Sequence, residues 1–156
     1  MAVSAYLRID GIAGESQAQK FAGQIECVSF DLAITSSTSI LGTGAAVGKA
    51  SFGPLVFTKA VDTASPQIFL ALAQGKFAAT ATLSLVQSGA VDSYATVSFK
   101  QVLFTGQETS LNNGATLETV KMAYASLQYS VAGHAPDGSL RPPVQGGWDI
   151  TRNKLL

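Results

Sequence analysis

The feature that most constrains the fold is a period of two in the apolar residues. Between positions 77 and 85 the apolar residues alternate with Thr80, Thr82 and Ser84, and the same pattern returns between 95 and 103. Successive side chains of a strand point to opposite faces, so this period is typical of strands with one buried face. The segments 5–10, 24–32 and 49–58 are further strand candidates, with Gly53-Pro54 expected to form a bulge or an edge. The chain is therefore predicted to be mainly β.

One longer segment, 117–131, is apolar on both faces and would need cover on both, from a helix or from a neighbouring subunit. A single helix is predicted over 65–74. Ser65 is expected to cap its first amides, Pro66 to occupy its first turn and Gly75 to end it. The core-facing stripe of this helix is expected to contain Ile68, Phe69 and Leu72.

Four segments are predicted to be irregular: 11–23, 35–48, 106–114 with its Asn-Gly turn, and the proline-rich 134–147. The segment 35–48 has no charged residue, and an uncharged loop of this length is expected to lie on a partner. Together these patterns predict a closed or nearly closed antiparallel barrel with one short helix, because closure removes exposed strand edges.

Charge is scarce in this chain. Only 13% of the 156 residues are charged, ten of each sign, which is about half the usual ~25%. This balance argues against a basic nucleic-acid-binding surface. A surface with few charges and no net charge favours self-association. We therefore expect copies of the chain to cover much of the surface.

The sequence predicts no catalytic, metal-binding or cofactor-binding site. The single Cys27 and the single His134 exclude an internal disulfide and the common zinc sites. Cys27 is expected to be a buried structural residue and His134 an exposed loop residue. The sequence 42–49 resembles a phosphate-binding loop, but Ala50 stands where a Ser or Thr is required. Neither a catalytic residue nor a metal or cofactor is predicted, so an enzyme is the least favoured interpretation.

Export signals and membrane segments are also not expected. The N-terminus lacks the basic start and apolar run of a signal peptide, and no apolar run approaches the ~18 residues that cross a bilayer. The expectation is a protein made in the cytoplasm without membrane insertion. Trp148, in a predicted tight turn over 146–149, is expected to be a core anchor or, less favoured, an interface hot spot.

Short motifs in a fixed order resemble the haemolysin-coregulated protein (Hcp) family, the tube-forming component of bacterial type VI secretion. They are spread over nearly the whole chain: Tyr6–Ser16, Ile25–Phe30, Gly48–Phe52, Lys59–Pro66, Gly75-Lys76, Glu118–Val120 with Tyr124, Leu127 and Tyr129, Gly147–Asp149 and Asn153-Lys154. Any one motif is weak, but their order and spacing together are specific.

The resemblance implies a single domain over 1–156. Its fold would be a closed antiparallel β-barrel of two packed sheets, with one short α-helix on the side (about 65–74) and a long extended loop (about 35–48). It also implies homohexameric rings that stack into a hollow tube. A contractile sheath would surround the tube, a spike (valine-glycine repeat) protein would cap it, and effector proteins would ride in its lumen. Sheath contraction would then export the protein to the medium or a target cell.

The residues expected at subunit or ring contacts are Ser39, Ile40, Leu41, Val47, Lys49 and Trp148. By analogy with the family, the loop 35–48 is expected to reach an adjacent ring or subunit. Two other interpretations stay open from the sequence. One is a small-ligand-binding β-barrel, and the other is a tube protein of a phage-tail-like contractile particle.

Overall fold

The computed structural model describes residues 2–37, 39–41, 44–46 and 49–156, with 39–41 and 44–46 described as backbone only. These residues form twelve strands and one helix: β1 (Val3–Ile9), β2 (Ile25–Cys27), β3 (Ser29–Ser36), β4 (Ser39–Leu41), β5 (Gly44–Ala46), β6 (Ala50–Lys59), α1 (Ala64–Gln74), β7 (Ala78–Gln87), β8 (Ala95–Asn112), β9 (Ala115–Ala123), β10 (Ser126–Val131), β11 (Val144–Asp149) and β12 (Lys154–Leu155). The chain is mainly β with one short helix, as predicted.

The strands form two antiparallel layers that share β8. The first sheet has the order β12-β11-β10-β8-β7-β1-β2, and the second has the order β3-β6-β9-β8. The first half of β8 pairs with β7 and β10, and its second half pairs with β9. The chain also changes layer at Val28, between β2 and β3, and the run of strand pairs is open there. β4 and β5 form a separate hairpin.

The predicted irregularity at Gly53-Pro54 is a bulge. Leu32 pairs with Leu55 and Ile34 with Phe52, so the register between β3 and β6 shifts across these two residues. A side chain at position 53 would begin 3.0 Å from the Ala33 carbonyl oxygen, which explains the glycine. The ladder between β6 and β9 begins only at Leu55, after the proline. Pro54 therefore removes no hydrogen bond from that ladder.

The core lies between the two layers and under α1. Its fully buried side chains come from both sheets and from the inner face of the helix: Leu7, Ile25, Leu55, Phe57, Ile68, Leu83, Phe99, Val120 and Met122. A smaller cluster of Tyr6, Phe21 and Val86 lies on the other face of the first sheet, where the rings of Tyr6 and Phe21 stack at 4.8 Å.

Three predicted boundaries are wrong. The segment 117–131 is two strands, because the chain passes from the second sheet to the first at Tyr124 and Ala125. The predicted loop 106–114 is mostly strand, and only Asn113 and Gly114, both with positive φ, make its turn. The predicted turn at 146–149 lies within β11, so the irregular segment after β10 ends at position 143.

The helix begins one residue earlier than predicted and ends as expected at Gly75, with φ of 63°. Its first amide is capped by Asp62 instead of Ser65: the Ala64 N–H donates to the Asp62 carboxylate at 2.9 Å. Phe69, predicted to face the core, is 58% exposed. Ile68 and Leu72 do pack inward.

A buried network of charged and polar groups holds the start of α1. The Lys59 ammonium lies 2.7 Å from Asp62 and 3.4 Å from the fully buried Glu118, and it donates to the Ser65 hydroxyl at 2.9 Å. The Gln107 amide donates to Glu118 at 2.9 Å and to the Ser65 carbonyl at 3.1 Å. These contacts tie α1 to β6, β8 and β9. Each buried charge is thereby paired, as burial requires.

We expect Lys59→Met to lower the free energy of unfolding by about 3–5 kcal/mol, because it leaves Glu118 buried without its cation. The double variant Lys59→Met/Glu118→Leu should recover most of this loss. Lys20→Met, which breaks the exposed Lys20–Asp92 pair, should cost less than ~1 kcal/mol. Urea unfolding at one fixed protein concentration measures all three. Equal losses for Lys59→Met and Lys20→Met would contradict a structural role for the buried network.

Candidate subunit interface

His134 and Cys27 have the most reactive side chains of the chain, and neither has the surroundings of a catalytic residue. His134 is exposed on the segment after β10, and its ring lies 6.0 Å from that of Tyr94. Cys27 is buried on β2, and burial raises the pKa of its thiol to about 12. A thiol with this pKa stays protonated and is a poor nucleophile. Within the described part of the chain, no three His, Cys, Asp or Glu residues are placed to hold a metal ion.

We expect native Cys27 to react slowly with a thiol-exchange reagent at pH 8 and quickly after denaturation in urea. The folded pKa lies above the ordinary thiol value of 9.0, so the folded state holds the proton more tightly and loses stability as pH rises above 9. Colour release from an aromatic disulfide reagent, with and without urea, measures this. Fast labelling of the folded protein would contradict the burial of Cys27.

The predicted contact residues fall on two different parts of the fold. Ser39, Ile40 and Leu41 form β4, whose backbone pairs with β5, while Val47 lies outside the described residues. Lys49 is exposed immediately before β6. Trp148 lies on β11, in the first sheet, whereas the β4–β5 hairpin is a separate two-stranded sheet. The described residues of this set therefore belong to different elements of the fold.

Trp148 lies partway along a row of paired residues that crosses the first sheet. The row runs Ile9, Ala81, Phe99, Leu127, Trp148 and Leu155, on strands β1, β7, β8, β10, β11 and β12. Its first four members are buried, Trp148 is half-buried against the core, and Leu155 is 72% exposed. Directly paired residues share a face of the sheet. The face that forms the core therefore continues past the core into solvent.

The two neighbouring rows show the same change from buried to exposed. Leu7, Leu83 and Val97 are buried, but Tyr129, paired with Val97, is 45% exposed. In the next row Val131 and Val144 form a pair, and Val144 is 79% exposed. We call this surface the apolar shelf; it consists of Tyr129, Val131, Val144, Trp148 and Leu155. The Trp148 indole nitrogen is buried and has no hydrogen-bond partner among the described residues.

A second apolar surface lies on α1. Phe69 and Leu70 are each more than half exposed on the outer side of the helix, and Phe77, just beyond it, is 62% exposed. No residue of α1 is charged. Large apolar side chains exposed together on an uncharged helix mark a site of contact. We call Phe69, Leu70 and Phe77 the α1 patch.

The sequence predicted that 117–131 needs cover on both faces and singled out Trp148, but it did not predict the rest of the shelf or the α1 patch. The signal for the shelf was the alternation of Leu127, Tyr129 and Val131, which continues beyond the last buried residue. The signal for the α1 patch was a helix without charge. Exposed apolar patches of this kind mark sites of protein contact. Fold and surface together define a self-associating β protein without a recognisable chemical centre among its described residues.

Comparison with known proteins identifies the family. Residues 6–131 match the family described as "Type VI secretion system effector, Hcp", so the chain belongs to the Hcp family. Protein hcp1 of Pseudomonas aeruginosa is 28% identical over 98% of both chains. The crystal structure of Hcp1 from Salmonella typhimurium is 28% identical, with a TM-score of 0.82 over the whole of both chains. The solved structure of a type six secretion system protein shares the fold, with a TM-score of 0.92 at 23% identity over 99% of this chain and 100% of that chain.

Membership of this family establishes the function in outline. The chain is a tube protein of the type VI secretion system, and proteins of this family are structural and secreted, not enzymes. The family also implies that copies of the chain associate with one another and with other parts of the system. The described helix is too short to span a bilayer.

Proposed function

We propose that this chain, as one domain over 1–156, forms homohexameric rings that stack into the hollow tube of the secretion apparatus. The observation that carries the proposal is the pair of uncharged apolar surfaces, the apolar shelf and the α1 patch, on different parts of one subunit. Contacts between unlike surfaces generate closed rings or open stacks. Modest contacts repeated around a ring multiply into a stable assembly.

The other partners follow from the same role. A contractile sheath surrounds the tube, a spike (valine-glycine repeat) protein lies at its tip, and effector proteins occupy its lumen. The subunit is made in the cytoplasm and leaves with the contracting sheath, and it neither binds nucleic acid nor inserts into a membrane. Family membership supports this set of partners as a whole.

Within each subunit, the two sheets act as a closed barrel. One contact at the open position supports this: the Val28 N–H donates to the Thr58 carbonyl at 2.8 Å, next to the Ser29–Thr58 pair that begins the β3–β6 ladder. Val28 therefore bonds to β6 although it belongs to neither β2 nor β3. Treated as one bent strand, β2 and β3 complete the circuit β1-β7-β8-β9-β6-β3.

The β4–β5 hairpin is the part of the subunit that reaches the adjacent ring. Its backbone pairing, from Ser39 with Ala46 to Leu41 with Gly44, supports a defined arm for the loop 35–48. Lys49 lies between this arm and β6.

Purified protein at micromolar concentration should have a native mass about six times the 16.1 kDa of the subunit. Light scattering measures the mass, and negative-stain microscopy should show hollow rings. A stable monomer would contradict the ring and favour the small-ligand-binding barrel. Export that depends on the sheath's motor would separate a secretion tube from a phage-tail-like particle.

Replacing both Ile40 and Leu41 by Asp should weaken ring stacking and leave the ring mass unchanged, since charges at the end of the arm oppose an apolar contact. The matched control is Thr35→Asp/Ser37→Asp, which adds the same charge at exposed positions at the base of the loop. Tube length by electron microscopy is the readout. Tubes of normal length from the Ile40/Leu41 variant would disprove a stacking role for the hairpin.

A further inference from the structure

We propose that, within a ring, the α1 patch of one copy packs on the apolar shelf of the next. The inference rests on the proposed ring and adds to it the two surfaces that make the contact. Phe69, Leu70 and Phe77 are the inserting side chains, and Tyr129, Val131, Val144 and Leu155 form the surface that receives them.

The shelf needs a cover that its own chain does not supply. Its residues lie on the same face of the first sheet as Val97, Phe99 and Leu127, which are buried by the second sheet and α1. Beyond β10 the face is exposed although the side chains remain apolar, and no shelf residue is charged. An apolar layer from a neighbouring copy, packed on the shelf as the second sheet and α1 pack within the subunit, would complete the core. Within the subunit, one element of that cover is α1 itself.

The α1 patch has the matching chemistry. It offers two phenylalanines and a leucine, the residue types that contribute large apolar areas to contacts. The shelf offers aliphatic side chains and two aromatic rings, and it includes Gly146 opposite Tyr129, where the sheet surface is low. A Cβ at Gly146 would meet nothing within 4 Å, so the space above it is open. Side chains from a neighbour have room to enter there.

The two surfaces lie on opposite sides of β8, which makes the contact head-to-tail. α1 packs on the second half of β8 and is joined to the β1–β2 connection, where the Gln67 amide donates to the Ala13 carbonyl at 3.3 Å. The shelf is built on β10, β11 and β12, beyond the other edge of β8. A copy that presents its α1 patch to one neighbour therefore leaves its shelf free for another. This is the heterologous arrangement that closes into a ring.

The patch is held in place before contact. The buried network around Lys59 fixes the first turn of α1, and Gly75 ends the helix with its N–H bonded to Leu72. Little conformational entropy is then lost when the helix meets a neighbour, which favours binding. The shelf is likewise part of a hydrogen-bonded sheet.

Cross-linking between two different single-cysteine variants tests the contact directly. Both carry Cys27→Ala, so that each has one thiol; one carries Phe69→Cys and the other Val144→Cys. Mixed after dissociation and reassembly, then oxidised with copper–phenanthroline, they should give a disulfide-linked dimer. Phe69→Cys alone should give none. The variant with both cysteines should give a ladder of linked species up to the hexamer.

A matched pair of substitutions that keeps Cys27 gives a second test. Val144→Glu places a charge on the shelf, and Gln145→Glu places the same charge on the same strand but on the opposite face. We expect Val144→Glu to lower the ring fraction at least tenfold, and Gln145→Glu to leave it unchanged. Circular dichroism should show both variants folded, since both positions are exposed.

The outcomes separate the contact from the ring. Wild-type rings together with an intact Val144→Glu ring and no mixed cross-link would overturn the contact and leave the proposed ring standing. A cross-linked dimer from Phe69→Cys alone would also overturn it, because that result requires two like surfaces to meet. A monomeric wild type would overturn the ring and the contact together.

Discussion

The inner face of the first sheet is wider than the layer that covers it, and this mismatch governs the rest of the structure. Seven strands contribute to that face, while the cover consists of the second sheet and one helix of eleven residues. Strands β1, β7 and the first half of β8 are covered; β11 and β12 are largely not. A sheet face that stays apolar beyond its cover marks a site where another chain can complete the layer.

The buried network around Lys59 is the polar counterpart of that arrangement. Placing Lys59 and Glu118 in the core costs desolvation that their attraction offsets only with further hydrogen bonds, which Ser65 and Gln107 provide. Well-packed apolar side chains could stabilise the same volume as well or better. What the polar groups add is direction, because their bonds fix the start of α1 relative to three strands. We infer that the network is retained to place the helix, which in turn sets where its outer face lies.

The sequence pattern predicts a strand correctly where one face of that strand is buried. The prediction is wrong where burial depends on how distant segments pack together. Strands β7 and the first half of β8 follow a period of two because their inner faces are buried in the core, while their outer faces carry polar residues such as Thr80, Thr82 and Ser98. The segment 106–112 was misassigned because it is exposed on both faces and carries no such period. At the break between β9 and β10 the Tyr124 hydroxyl donates to the Gly53 carbonyl, a contact between distant segments that a local pattern does not reveal. In α1, adjacent Ile68 and Phe69 are equally apolar, so the sequence could not decide which faces inward. Trp148 was noticeable by its type, but the rest of the shelf was not, because its exposure depends on which strands the second sheet covers.

The scarcity of charged residues and the two apolar surfaces both affect how far the subunit contacts depend on salt. A tube protein of this family is secreted, so its contacts must hold in more than one environment. Contacts between charged groups weaken as salt rises, whereas apolar burial does not depend on screened charge. A ring held by the α1 patch and the shelf, neither of which contains a charged residue, would keep its strength across that change. The low charge of this chain then follows from the apolar contacts that its subunits make. For the same reason, the amino-acid composition alone predicts self-association.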